Sequence, residues 1–274
     1  RVNEYFYYYL ITLSGLITFV GLLDDYKNIN YKIRIFLIIL ISFLLIYFSN
    51  IYIKNIGNFF NLNITNLGNI GIIITLFCVF ALVNAFNFLD GIDGLSAIQS
   101  LSILFLIYFY DYYFSLNNDM IIIYYLALSL LIFFIFNYFF NNKYKIFLGD
   151  AGSMFLGFMI AWICIFISQR NTSIPVALIP WILSYPVFDL ISTVLIRISK
   201  RKSPFNPDHN HLHFILMKKL NLNKLNINLV ILLITFVLNL IGFLLYVSIT
   251  EEYIYLIYVF LFFLFHFYKL KYVN

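Results

Sequence analysis

The chain has 274 residues with a formal net charge of +5; 63% of them are hydrophobic, only 11% are charged, and the mean hydropathy is +0.94. That balance excludes a water-soluble domain and points to an integral membrane protein, whose excess positive charge belongs to the connections between spans and not to a nucleic-acid surface. Phe (33) and Tyr (23) are so frequent that no single aromatic residue is a signal.

A stretch of about 20 apolar residues crosses a bilayer. That ruler predicts nine spans, at roughly 6–23, 33–49, 70–88, 97–114, 121–140, 151–168, 174–197, 226–249 and 253–268. The expected fold is all-α, a polytopic helical membrane bundle, with residues 1–274 forming one membrane-embedded domain. The connection after the first span, GLLDDYKNINYK, carries Asp24 and Asp25, which read equally well as a cap and turn or as part of a site. NAFNFLDGIDGLSA follows the third span. Asn87, Asp90 and Asp93 are three apart in it, so a helix that persisted would carry them on one face, and the flanking glycines let a ligand approach the backbone. In IFLGDAGSMFLGF, Asp150 stands at the start of the sixth span with Ser153 as a candidate helix cap. Asp189 lies inside the seventh span, and an intramembrane acid either faces a site or pairs with a neighbouring helix. Of these two, pairing is the expectation.

The longest polar connection, RISKRKSPFNPDHNHLHFILMKK, has Pro204 and Pro207 to break a helix and one short amphipathic segment near 213–220. Its cations and histidines are suited to phosphate oxygens. A zinc site from His209, His211 and His213 is the rival reading, but the spacing fits no common zinc pattern. His266, deep in the last span, is expected to pack or bond between helices, and Cys78 and Cys164 to be small buried residues.

Nine crossings place the chain ends on opposite sides. Fourteen of the seventeen lysines and arginines then share one side, with Arg1, Lys54 and Arg170 on the other, so the first side is expected to be cytoplasmic. Asp24, Asp25, Asp90, Asp93, Asp150 and Asp208 fall on that same face, while Glu4, Asp111, Asp119, Glu251 and Glu252 fall opposite. Carboxylates at a bilayer edge are costly unless hydrated, paired or bound to a cation. A hard oxygen ligand at Asp150 suits magnesium, which takes a few protein oxygens together with waters and substrate phosphates.

Four stretches in this order, GLLDDYKNINYK, NAFNFLDGIDGLSA, IFLGDAGSMFLGF and SPFNPDHNHLHFIL, resemble the polyprenyl-phosphate N-acetylhexosamine-1-phosphate transferases. That family includes the phospho-MurNAc-pentapeptide translocase, but the SPF-x-PD-x-x-HLH form looks more like the branch using UDP-GlcNAc or a related UDP-N-acetylhexosamine. The resemblance implies a magnesium-dependent enzyme, with manganese as a substitute. It would transfer a sugar 1-phosphate to undecaprenyl phosphate and release UMP, from a cytoplasmic-side site in the inner (plasma) membrane. The implied partners are the UDP-sugar, the polyprenyl phosphate and membrane lipid, with no nucleic acid; a homodimer is left open. By the same resemblance Asp150 and Asn87 hold the magnesium, Asp24 and Asp25 lie beside the lipid phosphate, and Lys32 contacts phosphate. Asp93 and Phe147 hold or stack on uracil, Asp90 lines the same pocket, and His211 and His213 face the pyrophosphate and sugar.

Two departures stand out. Phe214 occupies a position where many relatives have a further histidine, and the two spans and basic GG-containing loop that relatives carry ahead of the DD pair do not precede Arg1. The expectation is therefore either that the sequence is a fragment or that the protein lacks N-terminal spans present in relatives. Two other classes fit part of the pattern. A transporter or channel requires acids near the bilayer midplane, where only Asp189 lies, and a non-catalytic scaffold requires loss of the ligand acids, all of which are present.

Overall fold

The computed structural model describes residues 2–59, 62–63, 67–114, 121–140, 143–169, 174–205 and 208–273. Arg1, Asp119, Arg170 and Pro207, which enter the sidedness and loop expectations, lie outside the described residues. Among the described residues eight helices are long and apolar enough to span a membrane: α1 (Val2–Lys27), α2 (Tyr31–Ser49), α3 (Gly68–Leu89), α4 (Leu95–Phe114), α5 (Ile121–Tyr138), α6 (Gly149–Ser168), α10 (Lys224–Ser248) and α11 (Glu251–Val273). Between α6 and α10 come a 3₁₀ turn (Val176–Leu178), α7 (Ile179–Ile182), α8 (Ser184–Ser199) and the short α9 (Leu212–Lys219). A two-residue antiparallel pair, β1 (Asn58–Phe59) with β2 (Leu62–Asn63), decorates the α2–α3 connection.

Eight spans are continuous and the expected seventh is not. Its two pieces, Val176–Ile182 and Ser184–Ser199, meet at 70°. The sequence explains the break: Pro186 has no N–H to give the Ile182 carbonyl and its ring crowds that turn, so the helix restarts after Leu183. Counted as one crossing, the bent pair preserves the alternation of the spans.

The helices pack around α6, which lies against α1 and α3. Its apolar window is 89% buried, whereas that of α11 is 11% buried. Close approach to α3 depends on Gly157, because a Cβ there would stand 2.6 Å from Val83 Cα and 2.8 Å from the Leu82 carbonyl oxygen. One buried apolar cluster runs from Phe6 on α1 to Ile254 on α11. Polar stitches cross it. Thr235 donates to Gln99 Oε1 (3.1 Å), and Asn239 donates to the Trp181 carbonyl (2.9 Å). His266 Nδ1 bonds the Ser192 hydroxyl at 2.9 Å, the interhelical role expected for it. At the end away from the acidic motifs, Gln169 Oε1 accepts from the Lys54 and Asn55 N–H groups, and Tyr255 donates to the Ile56 carbonyl.

Candidate active site

The C-terminal ends of α1, α3 and α8 and the N-terminal end of α6 meet at the opposite pole of the bundle. There a cleft of about 610 Å³, including the part open to solvent, is lined by Asp25, Asn87, Phe88, Asp90, Asp150, Arg197, Asp208, His211 and Phe214 together with Gly91 and Gly149. Residues from four separated stretches thus form one wall. They are the stretches singled out in the sequence.

The α1–α2 hairpin turns on Asn28 (φ 47°) and Asn30, whose side chain accepts the Lys32 N–H and caps α2. Asp24 and Arg34 stand equally far on either side of the turn, and Arg34 Nη1 bonds Asp24 Oδ2 at 2.8 Å. The same guanidinium reaches to 4.0 Å from Asp150 Oδ2. Asp25 points to the next helix: its carboxylate accepts the backbone N–H groups of Asp150 (2.9 Å) and Ala151 (3.1 Å). An acidic side chain from α1 therefore caps α6, where the helix dipole favours negative charge. Ser153, the cap expected from sequence, is one turn too far along and instead receives a hydrogen bond from Asn87 Nδ2 at 3.1 Å. The correction follows from Gly149, whose φ of +65° turns the chain sharply into α6, with the Asp25 carboxylate 2.8 Å from where a Cβ would lie.

Asn87, in the last turn of α3, also donates to Asp150 Oδ1 at 2.6 Å, which joins the two residues expected to hold a cation. The helical face expected for Asn87, Asp90 and Asp93 does not form. The helix ends at Leu89 with Asp90 as its C-cap, and the chain turns through Gly91 to Gly94 (φ +79°). Asp90 stays in the cleft, accepting from Ser96 Oγ at 3.1 Å. Burial, with the negative charges of Asp150 and Asp25 adding to it, pushes its carboxyl up to about 6 against the hydrogen bonds from Ser96 and the Gly149 backbone. Asp93 leaves the cleft wall. It is held by Lys145 (2.6 Å) and Lys224, and although burial opposes it, the two ammonium groups keep its carboxyl below the ordinary range.

Facing the carboxylates, Arg197 is buried (1% exposed) and forks onto Asp208 with Nε–Oδ2 at 2.9 Å and Nη2–Oδ1 at 3.0 Å. Its Nη1 donates to the Pro204 carbonyl at 2.6 Å, and its guanidinium lies over the Phe88 ring. This bidentate pair anchors the histidine connection to α8. It holds the Asp208 carboxyl below its usual range despite partial burial. His211 lines the cleft, and its Nδ1 bonds Asp189 Oδ2 at 2.7 Å. Asp189 is thus paired and out of the cleft, as expected. His213, in the first turn of α9, stacks on His211 with centroids 5.6 Å apart and is wholly buried. Burial lowers its pKa to about 3.

Five expected residues do not line this cleft. Asp24 is buried against Arg34, Asp93 is held by Lys145 and Lys224, Lys32 is exposed on the first turn of α2, His213 is interior, and Phe147 is 71% exposed beneath the Lys145 ammonium. Arg34 and Asp208 are the additions, and Arg197, which the sequence offers as one of the phosphate-suited cations, pairs with Asp208. Arg34 could have been found from its mirror position to Asp24, whereas the Arg197–Asp208 pair spans a proline-interrupted connection whose path the sequence does not reveal.

Among the described residues no three His, Cys, Asp or Glu side chains converge closely enough to cage a metal by themselves. What they present is Asp150 tied to Asn87, with the Asp25 and Asp90 carboxylates on the same cleft wall and the Arg34 guanidinium within reach. A magnesium ion that keeps waters and takes substrate phosphates as ligands fits such an open oxygen donor set.

Residues 7–168 match the profile described as glycosyl transferase family 4. A protein of Escherichia coli O157:H7 named undecaprenyl-phosphate alpha-N-acetylglucosaminyl 1-phosphate transferase is 32% identical over 218 residues, 76% of this chain and 57% of the relative. Proteins of the same name from Haemophilus influenzae and Pasteurella multocida are 40% and 41% identical over 81 residues, 29% of this chain and 22% of each relative. The chain therefore spans little more than half the length of that Escherichia coli relative. With the profile covering α1 to α6, and with them every carboxylate of the cleft except Asp208, the chain belongs to glycosyl transferase family 4.

Proposed function

We infer that this protein transfers an N-acetylhexosamine 1-phosphate, GlcNAc-1-phosphate by the names of its relatives, from a UDP-sugar to undecaprenyl phosphate and releases UMP. The observation that carries the reading is the meeting of Asp25, Asn87, Asp90 and Asp150 with Arg197, Asp208 and His211 in a single cleft at one pole of a membrane bundle. A lipid phosphate and a water-soluble nucleotide must meet at such a pole. The lysine and arginine bias supports the cytoplasmic face of the inner (plasma) membrane for it.

In this reaction an oxygen of the lipid phosphate forms a bond to the sugar-bound phosphorus as the bond from that phosphorus to the UMP oxygen breaks. Both reactants are anionic, so catalysis consists of positioning and charge compensation. Magnesium, or manganese in its place, would be held by Asp150 and Asn87 and would supply positive charge to the pyrophosphate. Arg34 is placed to receive phosphate oxygens beside Asp24 and Asp150. Asp25, by capping α6, fixes where Asp150 stands. Asp90 lines the same cleft wall, where its carboxylate can accept a hydrogen bond from the donor. Asp93 braces Lys145 and Lys224 at the rim, so contact with uracil requires it to exchange a lysine for the base.

The test is UMP release by the purified protein with undecaprenyl phosphate, magnesium and either UDP-GlcNAc or UDP-MurNAc-pentapeptide, alongside Asp150→Asn. Lipid-dependent release with UDP-GlcNAc, lost in the variant, is the expected result. Release with the pentapeptide donor alone would move the chain to the translocase branch, and no release with either would refute transfer by this chain.

A further inference from the structure

Behind the cleft wall lies a buried polar cluster to which the proposed reaction gives no role. Asp189 on α8 is 3% exposed, and Lys269 near the end of α11 is wholly buried. The Asp189 carboxylate accepts Lys269 Nζ (2.6 Å) and the Leu212 N–H (2.8 Å) on Oδ1, and bonds His211 Nδ1 (2.7 Å) on Oδ2. Lys269 Nζ also donates to Thr193 Oγ1 (2.6 Å) and the Asp189 carbonyl (3.1 Å). Thr193 spends its own proton on the Asp189 carbonyl at 2.7 Å, so it has none for His211 Nδ1, which lies 3.3 Å away.

These partners decide a proton position. A carboxylate paired with an ammonium group only accepts, so the ring nitrogen facing it must donate, and Nδ1 of His211 carries hydrogen. The charges of Asp189 and Lys269 balance within the cluster, and in the Nδ1–H tautomer the lone pair of the ring stands on Nε2. That nitrogen is buried and has no hydrogen-bond partner among the described residues. Native structures rarely leave a buried polar atom unpaired, and this one belongs to a ring on the cleft wall.

We propose that Asp189 and Lys269 are positioning residues that lock His211 in the Nδ1–H tautomer, so that Nε2 accepts a hydrogen bond from a hydroxyl or acetamide N–H of the donor sugar. The sugar is part of the function read above, and the proposal rests on that reading. Asp189 sets the tautomer, and Lys269 keeps Asp189 a charge-balanced acceptor inside the bundle. His211 alone touches substrate.

The decisive perturbation is the paired substitution Asp189→Asn/Lys269→Met, which removes both charges together and leaves neither buried alone. The new amide keeps its oxygen on the Leu212 N–H and presents its NH₂ to Nδ1, which drives the ring proton to Nε2 and turns an acceptor into a donor. ¹⁵N spectra of histidine-labelled protein, with His211 assigned by His211→Gln, should show Nδ1–H in the parent and Nε2–H in the pair variant. The kcat/KM for the UDP-sugar should fall by about tenfold, the worth of one hydrogen bond. Nε2–H in the parent, or a reversed tautomer with kcat/KM within about threefold of the parent, would overturn the proposal. Should the pair variant fail to fold, the parent spectrum alone decides. If the parent releases no UMP, the reading of the reaction fails, and the tautomer still tests the positioning by itself.

Discussion

Replacing Asp25 by alanine removes the acceptor that α1 supplies to the first turn of α6. Two backbone N–H groups, those of Asp150 and Ala151, then lose their partner. Loss of a cap costs about 1 kcal/mol, and loss of a negative charge at a helix N-terminus adds roughly 0.3–1 kcal/mol. Asp25 is exposed and water can reach the freed donors, which favours the lower part of that range; relief of repulsion toward Asp90 subtracts a little more. A net loss of about 1 kcal/mol follows, a fall of roughly 2–4 °C in Tm for a chain of this size. Asp25→Asn keeps one acceptor oxygen and should lie about midway. Unfolding in detergent can be followed with a thiol-reactive dye that reports exposure of Cys164, which is buried within α6. Asp25→Ala with parental stability, or Asp25→Asn as destabilised as the alanine variant, would refute the capping argument and leave Asp25 with a purely chemical role.

Chelation of divalent cations should abolish UMP release and added magnesium restore it, while Asp150→Asn should lower kcat by about 100-fold or more with Tm little changed. Gly157→Ala places a methyl group against Val83 and Leu82 and should cost about 1–3 kcal/mol in the unfolding assay. It should also lower turnover, because the same two helices carry Asn87 and Asp150. His213 has a folded-state pKa of about 3 against an ordinary value of 6.5, so between those values the unfolded chain binds the extra proton. The stability due to its neutral ring is present in full above about pH 6.5 and is lost as pH falls toward 3, and His213→Gln should flatten that slope in Tm measured against pH.

Much of this architecture is legible in the sequence because a bilayer imposes a length and a charge asymmetry on every span. The eight continuous spans and the gathering of Asp24, Asp25, Asp90 and Asp150 at one pole follow from hydropathy and lysine placement alone. What hydropathy does not report is which helix is central. The apolar windows of α6 and α5 have mean hydropathy 2.0 and 2.2, yet 89% of one and 22% of the other is buried, because lipid and protein interior are equally apolar. Asp25 and Asp150 are 125 residues apart, so no local pattern announces the cap. Asp93 departs from its expected place because a three-residue spacing is informative only while a helix lasts, and Gly91 and Gly94 end it. Lys269 reads in the sequence only as a cation at the end of the last span, although an intramembrane Asp189 demands a buried partner and the chain has few cations to supply one.

The two arms of the cleft are anchored in different surroundings. Asp150 stands on α6, which the other helices shield, so changes in bilayer thickness or lipid composition press on that arm only through its neighbours. His211 is tied through Asp189 to Lys269 on α11, the span with the smallest buried share. Tilt of α11 in a thicker or thinner bilayer therefore acts on the histidine arm first, which gives the surrounding lipid a lever on one half of the site while the other half keeps its geometry.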